Sequence, residues 1–136
     1  QRNSILLTAF AAIVLSACAQ AAYDTTQNAK RGQVIYAKEC AQCHGPAGAG
    51  AGPASLGLGV APPNLNELAL RNDGTFPREF VRRFVMGTLE KEDPDAAMPE
   101  FATVGLRHVY PDGGADGEVL EADFADLLDY LETIQK

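Results

Sequence analysis

Cys40-Ala41-Gln42-Cys43-His44 is the stretch on which the reading of this chain turns. Two thiols three residues apart, on the last turn of a helix, can each add to one vinyl group of a haem and form two thioether bonds. The adjacent histidine then lies under the ring with an imidazole nitrogen toward the iron. A thioredoxin-like redox pair needs a preceding strand and a βαβ setting, and no period-2 alternation occurs anywhere in the chain. A structural zinc site needs four ligands, and the chain supplies no second cysteine pair and only one other histidine, His108. The motif therefore predicts one covalent haem c with its iron, held by Cys40 and Cys43, with His44 as a metal ligand.

Working outward, the motif ends a predicted helix from about Thr26 to Cys43, in which Ala29, Gly32, Tyr36, Cys40 and Cys43 share a face. A run of Gly, Ala and Pro from Gly45 to Pro63 follows. A short helix is expected from Asn64 to about Arg71, with Glu67 in capping position, and Asn72-Asp73-Gly74 turns the chain. Pro77 opens a third helix that groups Phe80, Val81, Phe84 and Val85 and closes at Gly87. An acidic, turn-rich connection from Glu90 to Leu120 leads to a fourth, from about Glu121 to Gln135. That last helix is amphipathic, with Phe124, Leu127, Leu128, Leu131 and Ile134 on one side and Asp123, Asp126, Asp129 and Glu132 on the other. Two such long connections are uncommon in a small domain unless another group gives them a surface to pack on, and a haem would do so.

The sixth iron position has two methionine candidates. Met86 sits in the third helix among core residues and reads as packing. Met98 precedes Pro99, which keeps the chain extended and lets the thioether reach inward. Sulfur opposite histidine favours ferrous iron and raises the reduction potential. Met98 is thus the expected second metal ligand, and His108 reads as a loop histidine.

From Lys30 to the C-terminus these pieces resemble class I cytochrome c. Gly32, Tyr36 and Cys40 match that family's first helix, and Leu127, Tyr130 and Leu131 match its last, which crosses the first where Gly32 permits close approach. Met98-Pro99 matches the axial methionine. The resemblance implies an all-α fold of about four helices wrapped round one covalent haem. It also implies that Pro53, in Gly52-Pro53, is the proline whose carbonyl accepts a hydrogen bond from the haem histidine. Two departures stand out. The Gly105–Leu120 segment is longer than compact members need, and the acidic balance differs from the lysine-ringed haem edge of the mitochondrial protein. Arg71, Arg78, Arg82 and Arg83 form the main basic group, read as a solvated face with a Glu79–Arg83 pair. A sharper reading brings Arg71 to a haem propionate.

The 136 residues suffice for one domain, and the formal charge of −7 argues against nucleic acid and favours partners with a basic surface. The N-terminus reads separately. Ile5 to Leu15 is an apolar run preceded by Arg2 and followed by Ser16-Ala17-Cys18-Ala19-Gln20-Ala21, the layout of a secretory signal. Leu15-Ser16-Ala17-Cys18 resembles a bacterial lipoprotein box, with cleavage after Ala19 or Ala21 as the rival. A retained membrane anchor is the further alternative. Residues 1–22 are therefore expected to be a signal or anchor and 23–136 the cytochrome domain, placed in the bacterial periplasm, with attachment through a lipidated Cys18 or an uncleaved N-terminal helix. The expected function is single-electron transfer between redox partner proteins rather than catalysis. A tethered subunit of an oxidoreductase comes second. A haem enzyme or sensor with an open sixth position is the remaining class, and Met98-Pro99-Glu100-Phe101 speaks against it.

Overall fold

The computed structural model describes residues 2–89, 98 and 117–136, with side chains described for 20–89, 98 and 121–136. Pro99, His108, residues 105–116 of the Gly105–Leu120 segment and the Cys18 side chain lie outside the described residues, and the last four residues of that segment form the start of the final helix. Among the described residues the chain is helical and has no strand. Four α-helices are α1 (Arg2–Glu39), α2 (Ala41–His44), α3 (Arg78–Met86) and α4 (Gly117–Thr133). Short 3₁₀ turns at Pro53–Gly57, Leu65–Glu67 and Leu70–Asn72 connect α2 to α3.

The expected first helix is present but breaks at Cys40. Helical hydrogen bonding continues through the break, from the Cys40 N–H to the Tyr36 carbonyl and from the His44 N–H to the Cys40 carbonyl, both 2.9 Å. Gly45, at φ 78°, then takes a conformation that stops the helix. α1 crosses the expected 22/23 boundary without interruption, and its residues 20–26 are exposed. Among the residues searched, no helix is long and apolar enough to cross a membrane.

α1 packs on α4 at Gly32, where a Cβ would land on the carbonyl oxygen of Asp126. Around that crossing, Ile35 and Tyr36 of α1 meet Phe124, Leu127, Leu128, Tyr130 and Leu131 of α4, all buried. The Tyr36 and Tyr130 rings lie 5.3 Å apart at 49°. The Tyr36 hydroxyl donates to the Gly45 carbonyl at 2.7 Å, so this core residue also fastens the turn after His44.

Two expectations for the arginine group change: it is not simply a solvated face, and Glu79 pairs with Arg82 rather than Arg83. The acidic side of α4 is engaged by arginines of the other helices. Asp126 is only 7% exposed and takes both a 2.6 Å and a 3.1 Å bond from Arg31 of α1. Asp129 receives Asn28 at 3.1 Å and pairs with Arg78 of α3 at 2.6 Å, and Arg78 also reaches Glu132 at 3.3 Å. The acids thus hold α1 and α3 against α4. Arg82, for its part, bonds Glu79 one turn back and reaches Glu121 of α4 at 3.5 Å.

The segment expected as one helix from Asn64 to Arg71 is instead two 3₁₀ turns. Its start is capped as anticipated. The Asn64 side chain accepts from the Asn66 N–H at 3.0 Å and donates to Glu67 at 2.9 Å. The stretch is too short to sustain α-helical nucleation on its own. Asp73 and Gly74, both at positive φ, end it. α3 keeps its expected bounds. Gly87, at φ 75°, donates to Phe84, and Thr88 donates to Arg83, the paired bonds of a Schellman ending.

The Gly32 crossing yields a direct test. Gly32→Ala forces two backbones apart and is expected to lower unfolding stability by about 2–3 kcal/mol, as overpacking of a close contact does. Urea denaturation of the parent and variant holoproteins measures the difference.

Candidate functional site

The elements of the fold converge on a cavity of about 270 Å³. α3 contributes Phe80, Val81, Phe84 and Val85, the group the sequence had placed together as core. Leu127 and Leu131 of α4 and Tyr36 of α1 close the back, while Leu65 and Leu68 come from the short turns. Phe80 is 57% exposed, so the cavity has an open mouth at that residue. Cys40, His44 and Met98 line this same cavity.

His44 is the last residue of α2 and is 8% exposed. Its Nδ1 lies 3.4 Å from the Pro63 carbonyl oxygen. A carbonyl can only accept, so Nδ1 carries the proton and Nε2 keeps its lone pair. Burial holds the imidazole pKa below its ordinary 6.5, with the Pro63 carbonyl pulling partly the other way. The ring is therefore neutral at neutral pH, the form a metal requires of a histidine ligand.

Cys40 and Cys43 are free thiols and partly buried. Burial, followed by the neighbouring Glu39 and Cys43, pushes the Cys40 thiol up to about 12. Cys43 lies one turn on, and its carbonyl accepts the Gly52 N–H at 2.9 Å, which binds the following loop to α2.

That loop corrects one expectation. The histidine's carbonyl partner is Pro63, not Pro53. Gly52 packs so closely on the Ala41 and Gln42 carbonyls that no Cβ would fit, and this leaves Pro53 exposed at the start of its own 3₁₀ turn. Gly45, Gly48 and Gly50, all at positive φ, fold the loop back, and the Leu65 N–H donates to the Gly48 carbonyl at 2.7 Å. The chain returns to His44 at Pro63 as a result. The signal for this was Pro62-Pro63 placed directly before the capping Asn64, a stiff segment ahead of a fixed turn.

Other sequence readings fall into place around the cavity. Met98 lines it, whereas Met86 packs against the core and does not line it. Arg71 donates to the Asn64 carbonyl at 2.6 Å and to Glu67 at 3.5 Å, and it is not a lining residue. Pro63, Leu65 and Leu68 are the lining residues that periodicity did not single out. Among the described residues no cluster of three or more His, Cys, Asp or Glu could hold a metal ion, which leaves the zinc reading without support there.

A family model described as Cytochrome c matches residues 29–135. No match was found among curated proteins or among solved structures. The matched span runs from the first turn of α1 that packs on α4 to the end of the chain's last helical segment, and it contains both walls of the cavity. With Cys40, His44 and an apolar chamber assembled as that family requires, this chain belongs to the cytochrome c family, the haem-binding electron-transfer proteins with covalent haem c.

Proposed function

We propose that this chain carries single electrons between redox partner proteins in the bacterial periplasm, with His44 and Met98 as the two iron ligands. The observation that carries the reading is that Cys40, His44 and Met98, drawn from two separate parts of the chain, line one apolar cavity. The residues fit a haem: the free Cys40 thiol in the lining, the free Cys43 thiol three residues on and outside the lining, a neutral histidine with Nε2 uncommitted, and otherwise hydrocarbon and ring surface. Bound haem supplies an iron that alternates between ferrous and ferric.

The protein's own contribution follows from the geometry. Cys40 and Cys43 would hold the macrocycle by thioether bonds. His44 would ligate through Nε2, oriented by the Pro63 carbonyl at Nδ1, and Met98 would supply the sulfur. The buried Val81 and Val85, with Phe84, give the chamber an apolar wall, and such a wall would favour the less charged ferrous state of a bound haem. With both His44 and Met98 as ligands no position would be left for substrate, which would suit outer-sphere electron transfer, so the role is carrier and not enzyme.

Residues 1–22 act as a secretory signal or anchor and residues 23–136 as the cytochrome domain. The Ile5–Leu15 apolar run and Leu15-Ser16-Ala17-Cys18 support export and attachment through a lipidated Cys18, with an uncleaved N-terminal helix as the other form of tether. The net charge of −7 supports partners with a basic surface. Asp126, Asp129 and Glu132 are already engaged by Arg31 and Arg78, so they contribute less to such docking than their position on α4 suggests.

Intact mass and an optical spectrum on protein made in a haem-attaching host test this reading. The expected result is a mass gain of one haem, a start at a processed N-terminus, and a low-spin spectrum with the methionine–iron band. Met98→Ala is expected to abolish that band and give a high-spin ferric spectrum. A Met98→Ala protein that keeps the parent spectrum would refute methionine ligation.

The same cavity predicts the fate of the haem-free chain. Without haem the apolar side chains that line this open chamber lose their packing partner and face solvent, a cost that a small domain meets out of a total stability of only about 5–15 kcal/mol. Protein with Cys40 and Cys43 both replaced by Ala, made without haem, is expected to lose cooperative thermal unfolding, as followed by far-ultraviolet circular dichroism. A sharp transition at the parent temperature would contradict it.

A further inference from the structure

Two residues just after α4, Gln135 and Lys136, make a clamp. The Gln135 side chain accepts the Ala69 N–H at Oε1 (2.9 Å) and donates from Nε2 to the Leu65 carbonyl (2.8 Å) and the Leu131 carbonyl (2.7 Å). One amide oxygen faces a donor and one amide nitrogen faces two acceptors, so the orientation of the group is forced by its surroundings. Next to it, the Lys136 N–H donates to the Asn66 carbonyl at 2.9 Å. Three bonds from the end of the chain therefore fall on Leu65, Asn66 and Ala69.

The segment they hold has little structure of its own, being a pair of 3₁₀ turns of three residues each. Its position matters at both ends. Leu65 and Leu68 line the cavity, and Pro63, two residues before Leu65, presents its carbonyl to His44 at 3.4 Å. At 3.4 Å the contact is longer than an ordinary N–H···O bond, and further separation would lose it. Small displacements of the 63–69 segment thus set how strongly the Pro63 carbonyl orients and polarises His44.

We propose that Gln135 is a positioning residue for His44, acting by holding the Pro63–Ala69 segment so that the Pro63 carbonyl stays against Nδ1. The proposal rests on His44 being the iron ligand. Through the Pro63 bond the imidazole becomes a stronger electron donor to the metal and stabilises the ferric state. Loosening the clamp weakens that donation and raises the reduction potential. A role confined to packing would lower stability and leave the iron's electronic surroundings unchanged.

The test compares three holoprotein variants. Gln135→Met keeps length and bulk but removes every hydrogen bond of the clamp. Gln135→Glu keeps the acceptor for Ala69 and loses the donor for Leu65, and it carries the measurement if the methionine variant does not accumulate. Asn28→Ala removes the bond to Asp129 across the α1–α4 crossing, away from this segment. Gln135→Met is expected to quicken amide exchange at Ala69 at least tenfold, and both Gln135 variants are expected to move the His44 Nδ1–H resonance toward that of a free imidazole and to raise the midpoint potential. Asn28→Ala is expected to lower the melting temperature while leaving those three readings in place. Gln135 variants that lose stability as Asn28→Ala does, with the His44 resonance and the potential unmoved, would overturn the proposal. Absence of an iron-shifted His44 resonance in the parent protein would instead overturn the ligand assignment, a result distinct from failure of the clamp because Ala69 exchange reports on Gln135 either way.

Discussion

Two helices that begin and end this fold touch backbone to backbone at Gly32, against the Asp126 carbonyl. Everything else depends on that approach. It brings Tyr36 beside Tyr130 and lets Leu127 and Leu131 reach the same chamber as Cys40 and His44. A side chain of even one carbon at position 32 would widen the crossing and draw the rear wall of the cavity away from the motif. Arg31, the preceding residue, bonds the very aspartate whose carbonyl Gly32 touches. The contact is therefore close in its backbone and charged at its rim.

From this crossing the polar and apolar parts of the structure divide their work. Leucine, valine and phenylalanine side chains surround the chamber, where solvent access would alter the iron's potential. The carboxylates of α4 stand outside it and tie α1 and α3 to a common support. Arg31 and Arg78 are themselves substantially exposed, at 59% and 41%, so each exposed pair contributes little alone. Asp126 differs in being nearly buried, and two bonds from one guanidinium fix its orientation as well as its charge.

Features with a local cause were readable from sequence. Gly32 as a contact point came from the family resemblance, whereas the Cys40–His44 spacing, the Gly87 helix ending, the Asn64 cap and the apolar side of α4 each follow from a few neighbouring residues. The path of the Gly45–Pro63 loop did not, because several positive-φ glycines and the tight seat of Gly52 decide which proline reaches His44. Nor did the burial of Asp126, whose partner stands 95 positions away. Phe80, Val81, Phe84 and Val85 were recognised as one apolar group, but periodicity cannot tell a face packed on protein from one that lines an open chamber. Gln135 carried no signal at all, since its three partners are backbone groups.

Cys40 has a consequence for biogenesis. Its thiol, pushed up to about 12, is almost wholly protonated at neutral pH and sits inside the cavity wall. The thiolate is the reactive form of cysteine. Folding thus lowers the reactivity of this thiol, and its partial burial narrows the approach to it. Both effects favour forming the bond to the haem vinyl group before α1 closes onto α4, so attachment and folding compete for the same stretch of chain.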